Sequence, residues 1–392
     1  MLGRRVAVTG LGVVAPCGLG REAYWQGLLG PGITGARSVH LAGWDPASWY
    51  PNPKEARRAD RVEQFAVAAA TEALDQAGSI GVEPARFGVV VGTGIGGLHT
   101  LEEQVELRLA KGDRRVSPFL VPMMMANASG AAISMRFGLQ GPNETICTAC
   151  AASTHAIGYA ARLVAMGRCD AMVTGGSESA STVTALAGFA NMTALSTSGS
   201  SRPFDVGRDG FVMGEGAAML VLEEWEHAQA RGATVLAEVL GSASNADAHH
   251  VTAPAPGGTG AIACMRLALD DAGLQPADIV QVNAHGTSTP LNDAAEAEAV
   301  AALFGANRVP VTSIKGVTGH ALGAAGALEA AAVLLAIEHR LIPPTAGTTE
   351  VDPEMAIDVV TGTARHWTPG PTISNNFGFG GHNGSLVLAP AT

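Results

Sequence analysis

The feature that most restricts this chain is an echo inside it. "EALDQAG", a proline-containing loop and "FGVVVGTG" occupy 72–94, and "LALDDAG", another proline-containing loop and "IVQVNAHGT" occupy 267–287. Helix, loop and buried strand recur in the same order. A second echo sets the strand, turn and helix of "ETICTACAASTHAIG" (144–158) against "TGHALGAAGALEAAAVLLAIEHR". Short apolar strands alternating with helical signals argue an α/β fold. The echoes add a duplication, with residues 1–235 and 236–392 as its halves. Between them, "RRVAVTGLG" predicts a strand ending in a glycine turn, and "ADRVEQFAVAAATEALDQAG" an amphipathic helix stopped by glycine. "FGVVVGTGIGG" predicts a buried strand running into a glycine-rich turn, and "AAMLVLEEWEHAQARG" a strand feeding a helix.

Composition narrows the partners. The net charge is −11 with no long basic run, which argues against nucleic acid. An acidic partner has to dock on a local arginine patch. Five cysteines, at 17, 147, 150, 169 and 264, form no disulfide framework and read as reduced, cytosolic thiols. "MLGRRVAVTGLG" lacks the apolar run of a signal peptide. "EAAAVLLAIEHRLIPP" is interrupted by Glu and His and is too short to span a bilayer. The expectation is a cytoplasmic protein that uses no membrane.

Four segments carry chemistry. Cys150 falls where a strand passes into a helix, and a helix N-terminus favours thiolate. Small neighbours, Ala149, Ala151 and Ala152, leave room for a substrate. Three readings stand open on these residues: a nucleophile, one half of a redox or zinc pair with Cys147, or a small residue in a tight turn. Zinc lacks a second CxxC, and the redox reading is weakened because Cys147 falls inside the predicted strand. "NAHGTSTPLND" places His285 at a strand end, with hydroxyls from Thr287, Ser288 and Thr289. "SIKGVTGHALGAAGALEA" sets Lys315 and His320 around a glycine turn. Its apolar surroundings predict a buried lysine, which needs a partner such as Glu329. "SNNFGFGGHNGSLVL" is a glycine-dense turn able to aim backbone N–H groups at an oxyanion.

Together these segments resemble the β-ketoacyl-acyl-carrier-protein synthases, nearest the elongating type II enzymes and the related type II polyketide and polyene ketosynthases. "RRVAVTGLG", "NPKEARRADR", "GTGIGG", "SRPFDVGRDGFVMGEGA" and "IPPT" extend the likeness over essentially the whole chain. The resemblance implies a thiolase-like duplicated αβαβα layered sandwich, generally dimeric. It implies that Cys150 accepts the acyl chain, that His285 and His320 handle malonyl decarboxylation, and that Lys315 acts electrostatically with Glu329 in support. Thr287 and Thr289 would hold the pantetheine arm. Phe379 would gate the acyl pocket and share an oxyanion hole with Cys150. Ile95 and Phe377 would contact substrate. Lys54, Arg57, Arg58, Arg114 and Arg115 would dock an acidic acyl carrier protein. Asn283, Glu329, Ser374 and Asn375 resemble a monovalent cation site.

Decarboxylation drives the implied reaction, so no cofactor is required. "GTGIGG" imitates a dinucleotide turn without the acidic signature that follows one. Two departures stand out: His382 where many relatives have Thr, and a shortened "STSGSSRPFD" loop with Thr193 where relatives often carry a basic residue. Three readings of function follow. One is a homodimeric fatty-acid elongation enzyme. The second is the catalytic ketosynthase of a polyketide or polyene pathway, paired with a chain-length-factor-like homologue. The third, a non-condensing partner subunit, is disfavoured because Cys150, His285 and His320 are all present. A degradative thiolase is disfavoured by the His, Lys and His pattern.

Overall fold

The computed structural model describes residues 3–391. Met1 and Leu2, which begin the N-terminal stretch read above, and Thr392 lie outside the described residues. The first half supplies strands β1 (Val6–Ala15), β2 (Phe87–Gly92), β3 (Asn143–Ile146), β4 (Ala171–Glu178) and β5 (Gly216–Glu224), with helices α1 (Arg61–Ala77) and α2 (Ala152–Ala165) among its connections. Their order across the sheet is β1-β5-β4-β2-β3. The second half supplies β6 (Ala237–Ala246), β7 (Gln281–Asn283), β8 (Pro310–Thr312), β9 (Thr372–Gly378) and β10 (His382–Ala389), with α3 (Thr259–Ala272), α4 (Pro290–Phe304) and α5 (Ala325–His339). Their order, β6-β10-β9-β7-β8, repeats the first. In each set the first three strands in space are antiparallel and the last two join in parallel. The two sets meet where β1 pairs with β6 at Ala7↔Glu238 and Val8↔Ala237. We propose the boundary between the halves at 235/236, just ahead of β6.

Helices α2 and α5 pack on each other and form the middle layer, while α1 covers β1 and β5 and α3 covers β6 and β10. The result is the mixed α/β, thiolase-like layered fold. Helix α5 is buried from Ala325 to Ile337, as a helix apolar on all sides must be. Among the described residues, Leu322–His339 is the one helical stretch long and apolar enough to cross a membrane, and it is core, 89% buried.

Local chemistry explains the boundaries. Asp60 caps α1 by accepting the Val62 N–H at 3.0 Å, and Gly78 ends it at φ 69°. One expectation fails nearby. "VTGLG" is not the end of a strand, because β1 runs through both glycines to Ala15. They are there for approach: a Cβ on Gly12 would stand 2.0 Å from the Ala69 carbonyl oxygen of α1. A second expectation fails at Cys147. Strand β3 stops at Ile146, and Cys147 lies beyond it, exposed.

Candidate active site

Strand β3 leads through Thr148 into a 3-10 turn, Ala149–Ala151, that opens α2. Ala149 has φ 49°, an unusual conformation for a residue with a Cβ. The turn carries Cys150, which is 6% exposed. The β9–β10 hairpin presses against it: a Cβ on Gly378 would lie 3.0 Å from the Cys150 nitrogen. The Phe379 N–H faces the Cys150 sulfur and favours its anion. Burial nevertheless pushes the thiol up to about 11, against the pull of Lys315 and that N–H. In the resting site desolvation of the anion is the largest influence on this thiol.

His320 follows the short helix Lys315–Thr318 and the turn residue Gly319, φ 66°. Its Nε2 lies 3.1 Å from Cys150 Sγ. His285 follows β7, and its ring stands 5.4 Å from that of His320 at an interplanar angle of 82°. Both imidazoles sit well below their ordinary pKa, first through burial and then through Lys315. They are neutral at pH 7.

The two histidines differ in what holds them. His285 Nδ1 faces Lys315 Nζ at 3.3 Å and Asn376 Nδ2 at 3.3 Å. Both neighbours are donors, so Nδ1 is the acceptor and Nε2 carries the proton. Lys315 Nζ also donates to the His285 carbonyl at 2.5 Å and pairs with Glu329, whose other oxygen takes Asn376 Nδ2 at 2.8 Å. Burial lifts the Glu329 carboxyl above its ordinary range, and contact with Lys315 opposes the lift. His320 Nδ1, by contrast, is buried with no hydrogen-bond partner among the described residues. Its tautomer is not locked.

A cavity of about 360 Å³ opens on Cys150, His285 and His320. Thr287, Thr289, Phe377 and Phe379 also line it. The two threonine hydroxyls are 2.9 Å apart. The Phe377 ring lies 6.1 Å from His285, and Phe379 lies 6.5 Å from Phe189. Thr193 is at the lining as well, while His382 begins β10 beside Gly380. Asp209 gathers the shortened loop by accepting from Ser196, Thr197 and Ser198.

Several expected residues fall elsewhere. Ile95 is 42% exposed and is not part of the cavity lining, because its turn uses backbone N–H groups inward. Lys54, Arg57, Arg58, Arg114 and Arg115 are exposed on the helix Pro53–Ala56, its C-terminal cap and the turn Asp113–Arg115. The Arg58 guanidinium stacks on the ring of Phe119, which caps the next helix, at 4.5 Å.

The metal readings meet specific obstacles. Ligand atoms of Cys150, His285 and His320 lie within 4.8 Å of one another. A metal-bound imidazole needs an acceptor for its remaining N–H, and His285 Nδ1 meets two donors instead. Of the four cation candidates, Glu329 is spent on Lys315 and Asn376. Asn283 Nδ2 donates to Ser374 Oγ at 3.1 Å, and Asn375 Oδ1 accepts from Ser385 Oγ at 2.7 Å.

Two carboxylates went unread in the sequence. Glu296 on α4 accepts the N–H groups of His285 and Gly286, each at 2.7 Å. Asp293, one turn earlier, accepts those of Thr287 at 2.9 Å and Ser288 at 3.1 Å. Burial drives Glu296 up to about 8. The signal was two acids one helical turn apart directly after the "HGTST" loop.

Known proteins share this architecture. Residues 32–228 match the family model "Beta-ketoacyl synthase, N-terminal domain", and residues 236–349 match "Beta-ketoacyl synthase, C-terminal domain". The 3-oxoacyl-[acyl-carrier-protein] synthase 2 of Synechocystis sp. is 43% identical over 408 residues, covering 98% of each chain. The ishigamide ketosynthase/chain length factor structure superposes with a TM-score of 0.93 at 35% identity, covering 100% of both chains. A type II polyketide synthase acyl-carrier protein in complex with its ketosynthase bound to the hexaketide gives 0.89 at 30%, again over 100% of both.

Proposed function

The chain belongs to the β-ketoacyl synthase family and is an acyltransferase of the 3-oxoacyl-acyl-carrier-protein synthase type, and on that premise we propose that Cys150 carries the growing acyl chain while His285 and His320 serve the decarboxylation of malonyl-carrier protein. The observation that carries this reading is the contrast between a locked and an unlocked imidazole around one buried thiol. With its proton on Nδ1, His320 uses Nε2, 3.1 Å away, to take the Cys150 proton as sulfur attacks the acyl thioester. That proton leaves on the departing pantetheine thiol. Phe379 N–H, beside the sulfur, is the donor for the tetrahedral oxyanion, together with the N–H of Cys150. Malonyl-carrier protein then enters and loses CO₂. The enolate oxygen receives the fixed Nε2–H of His285 and, after tautomer exchange at the unpartnered Nδ1, that of His320. The enolate carbon attacks the acyl carbonyl, the C–S bond breaks and the Cys150 thiolate takes a proton from solvent.

Lys315 holds His285 through its carbonyl and Nδ1, and Glu329 balances that charge. The Thr287 and Thr289 hydroxyls face the path of the amide-bearing arm. The exposed arginine segments are proposed to dock the carrier protein, and the partner copy to sit against edge strand β3. Leu109, Val121 and Met135 are exposed apolar side chains in the same half. The cytoplasm is the proposed location. A second reading, a polyketide or polyene ketosynthase paired with a chain-length-factor homologue, draws support from the 0.93 TM-score against such a complex.

Incubating the protein with acyl-carrier proteins of graded chain length and mapping the acyl group by mass spectrometry tests the first step. Acylation on any residue but Cys150 overturns the assignment. Purification from its source with a homologue lacking the cysteine decides for the heterodimeric pathway enzyme, and recovery as a homodimer decides against it.

A further inference from the structure

One fully buried carboxylate has no part in the chemistry above. Glu178 ends β4, and no cation pairs with it among the described residues. Its Oε2 accepts the Gly94 N–H at 2.5 Å and the Gly323 N–H at 3.1 Å, and its Oε1 accepts the Thr93 hydroxyl at 3.3 Å. The Ile95 N–H also turns toward it. The apparent phosphate cradle of "GTGIGG" is thus filled from within the chain.

The other end of the clamp reaches the catalytic cavity. Gly323 lies in the 3-10 turn Leu322–Ala324, Leu322 lines the cavity, and His320 stands just before it. The two clamped turns touch so closely that a Cβ on Gly323 would lie 2.1 Å from the Gly94 nitrogen. Leu322 is held at φ 43°, a strained conformation for a branched side chain that persists only where neighbours enforce it. We propose that Glu178 is a positioning residue for condensation, holding the Leu322 turn against the Gly94 turn and so fixing the cavity wall beside Cys150 and the approach of His320. This deepens the functional reading above and rests on it.

The clamp survives a change of charge. Burial lifts Glu178 to about 7. When Oε1 takes a proton it can donate to Thr93 Oγ1, while Oε2 keeps both backbone N–H groups. Glu178→Gln can adopt the same arrangement, with its carbonyl toward Gly94 and Gly323 and its amide toward Thr93. Glu178→Asp keeps the carboxylate but is one methylene too short to reach both turns, and Glu178→Ala removes the clamp.

The experiment compares the three variants in condensation and in alkylation of Cys150 by iodoacetamide. Glu178→Gln should keep kcat within about threefold of wild type. Glu178→Asp and Glu178→Ala should lose about tenfold or more in kcat, with KM for malonyl-carrier protein nearly unchanged. Alkylation should quicken in those two variants as the wall loosens and stay at the wild-type rate in Glu178→Gln. Wild-type kcat and alkylation in a folded Glu178→Asp protein overturn the proposal. So does an equal loss in Glu178→Gln, which would make charge rather than position the cause. If Asp and Ala fail to fold, Gln decides: a wild-type rate supports the clamp and a collapse overturns it. A Cys150→Ala protein that still condensed would sink the functional reading instead, and the alkylation comparison among Cys150-containing variants would stand.

Discussion

The turns Ala149–Ala151 and Leu322–Ala324 occupy matching places in the two halves. Each is a 3-10 turn opening a central helix, each begins with a non-glycine residue at positive φ, 49° and 43°, and each is buried at its middle residue. At the middle position the first has Cys150 and the second has Gly323. The first faces a cavity, a histidine and a backbone N–H. The second faces the carboxylate of Glu178, which satisfies its orphan donor. Duplication supplied one backbone twice. Side chains then made one copy a place where an anion forms briefly and the other a place where a carboxylate stays. The difference is also one of space, since the first turn needs room for a substrate and the second is closed by contact with Gly94.

The strongest break in this comparison removes the thiol. Cys150→Gln should abolish condensation, since an amide cannot take an acyl group, and should keep or raise malonyl decarboxylation by imitating the acylated side chain. Separate assays of CO₂ release and product formation check this. Loss of both together would mean that the thiol turn also builds the decarboxylation site. Next come the imidazoles that only the first turn faces. His285→Ala or His320→Ala should lower decarboxylation by roughly 10²–10³-fold, as loss of an oxyanion donor typically does. Wild-type CO₂ release in both variants would remove them from the enolate step.

Exchanging the turns' middle residues comes third. Gly323→Ala places a methyl 2.1 Å from the Gly94 nitrogen and 2.4 Å from the Thr93 carbonyl carbon. These are backbone atoms with little freedom to yield, so a loss of about 3 kcal/mol or more is expected. Cys150→Gly, the reciprocal change, should cost only about 1 kcal/mol. Denaturant titration measures both, and equal losses would show that the two turns are equally packed.

Much of this was legible in the sequence because it was written locally. The echo of helix, loop and strand became a repeated strand order, and Cys150 at a strand-to-helix junction, His285 at a strand end and His320 beside a glycine turn meet around one cavity. What sequence reading missed depends on depth and on long-range contact. The helix-end argument for a thiolate could not weigh burial, which raises the thiol. Gly10 and Gly12 read as a turn because glycine serves turns and close approach alike. Glu296, Asp293 and Glu178 carry no local signal of their roles, because each acts on backbone N–H groups of loops that only the fold brings to it.

The smallest expected effect separates the turns by pH. Glu178 has an ordinary value of 4.5 and a folded value of about 7, so between those limits the folded state binds its proton more tightly than the unfolded state. Its contribution to stability is complete below pH 4.5 and is lost as pH rises through 7. Cys150 follows the same sign in another window, from 9.0 up to about 11. The depressed histidines oppose Glu178 in acid: neutral when folded, they give stability above 6.5 that is lost as pH falls toward their lower folded values. Glu178→Gln should therefore flatten the fall in unfolding free energy between pH 4.5 and 7 while leaving the alkaline fall intact. Cys150→Gly should do the reverse, flattening the curve between pH 9 and 11. Each change is a shallower slope confined to its own window, read from urea titrations at closely spaced pH. If either substitution flattened both windows, the turns would be electrostatically one site, and the division between a chemical turn and a clamping turn would fail.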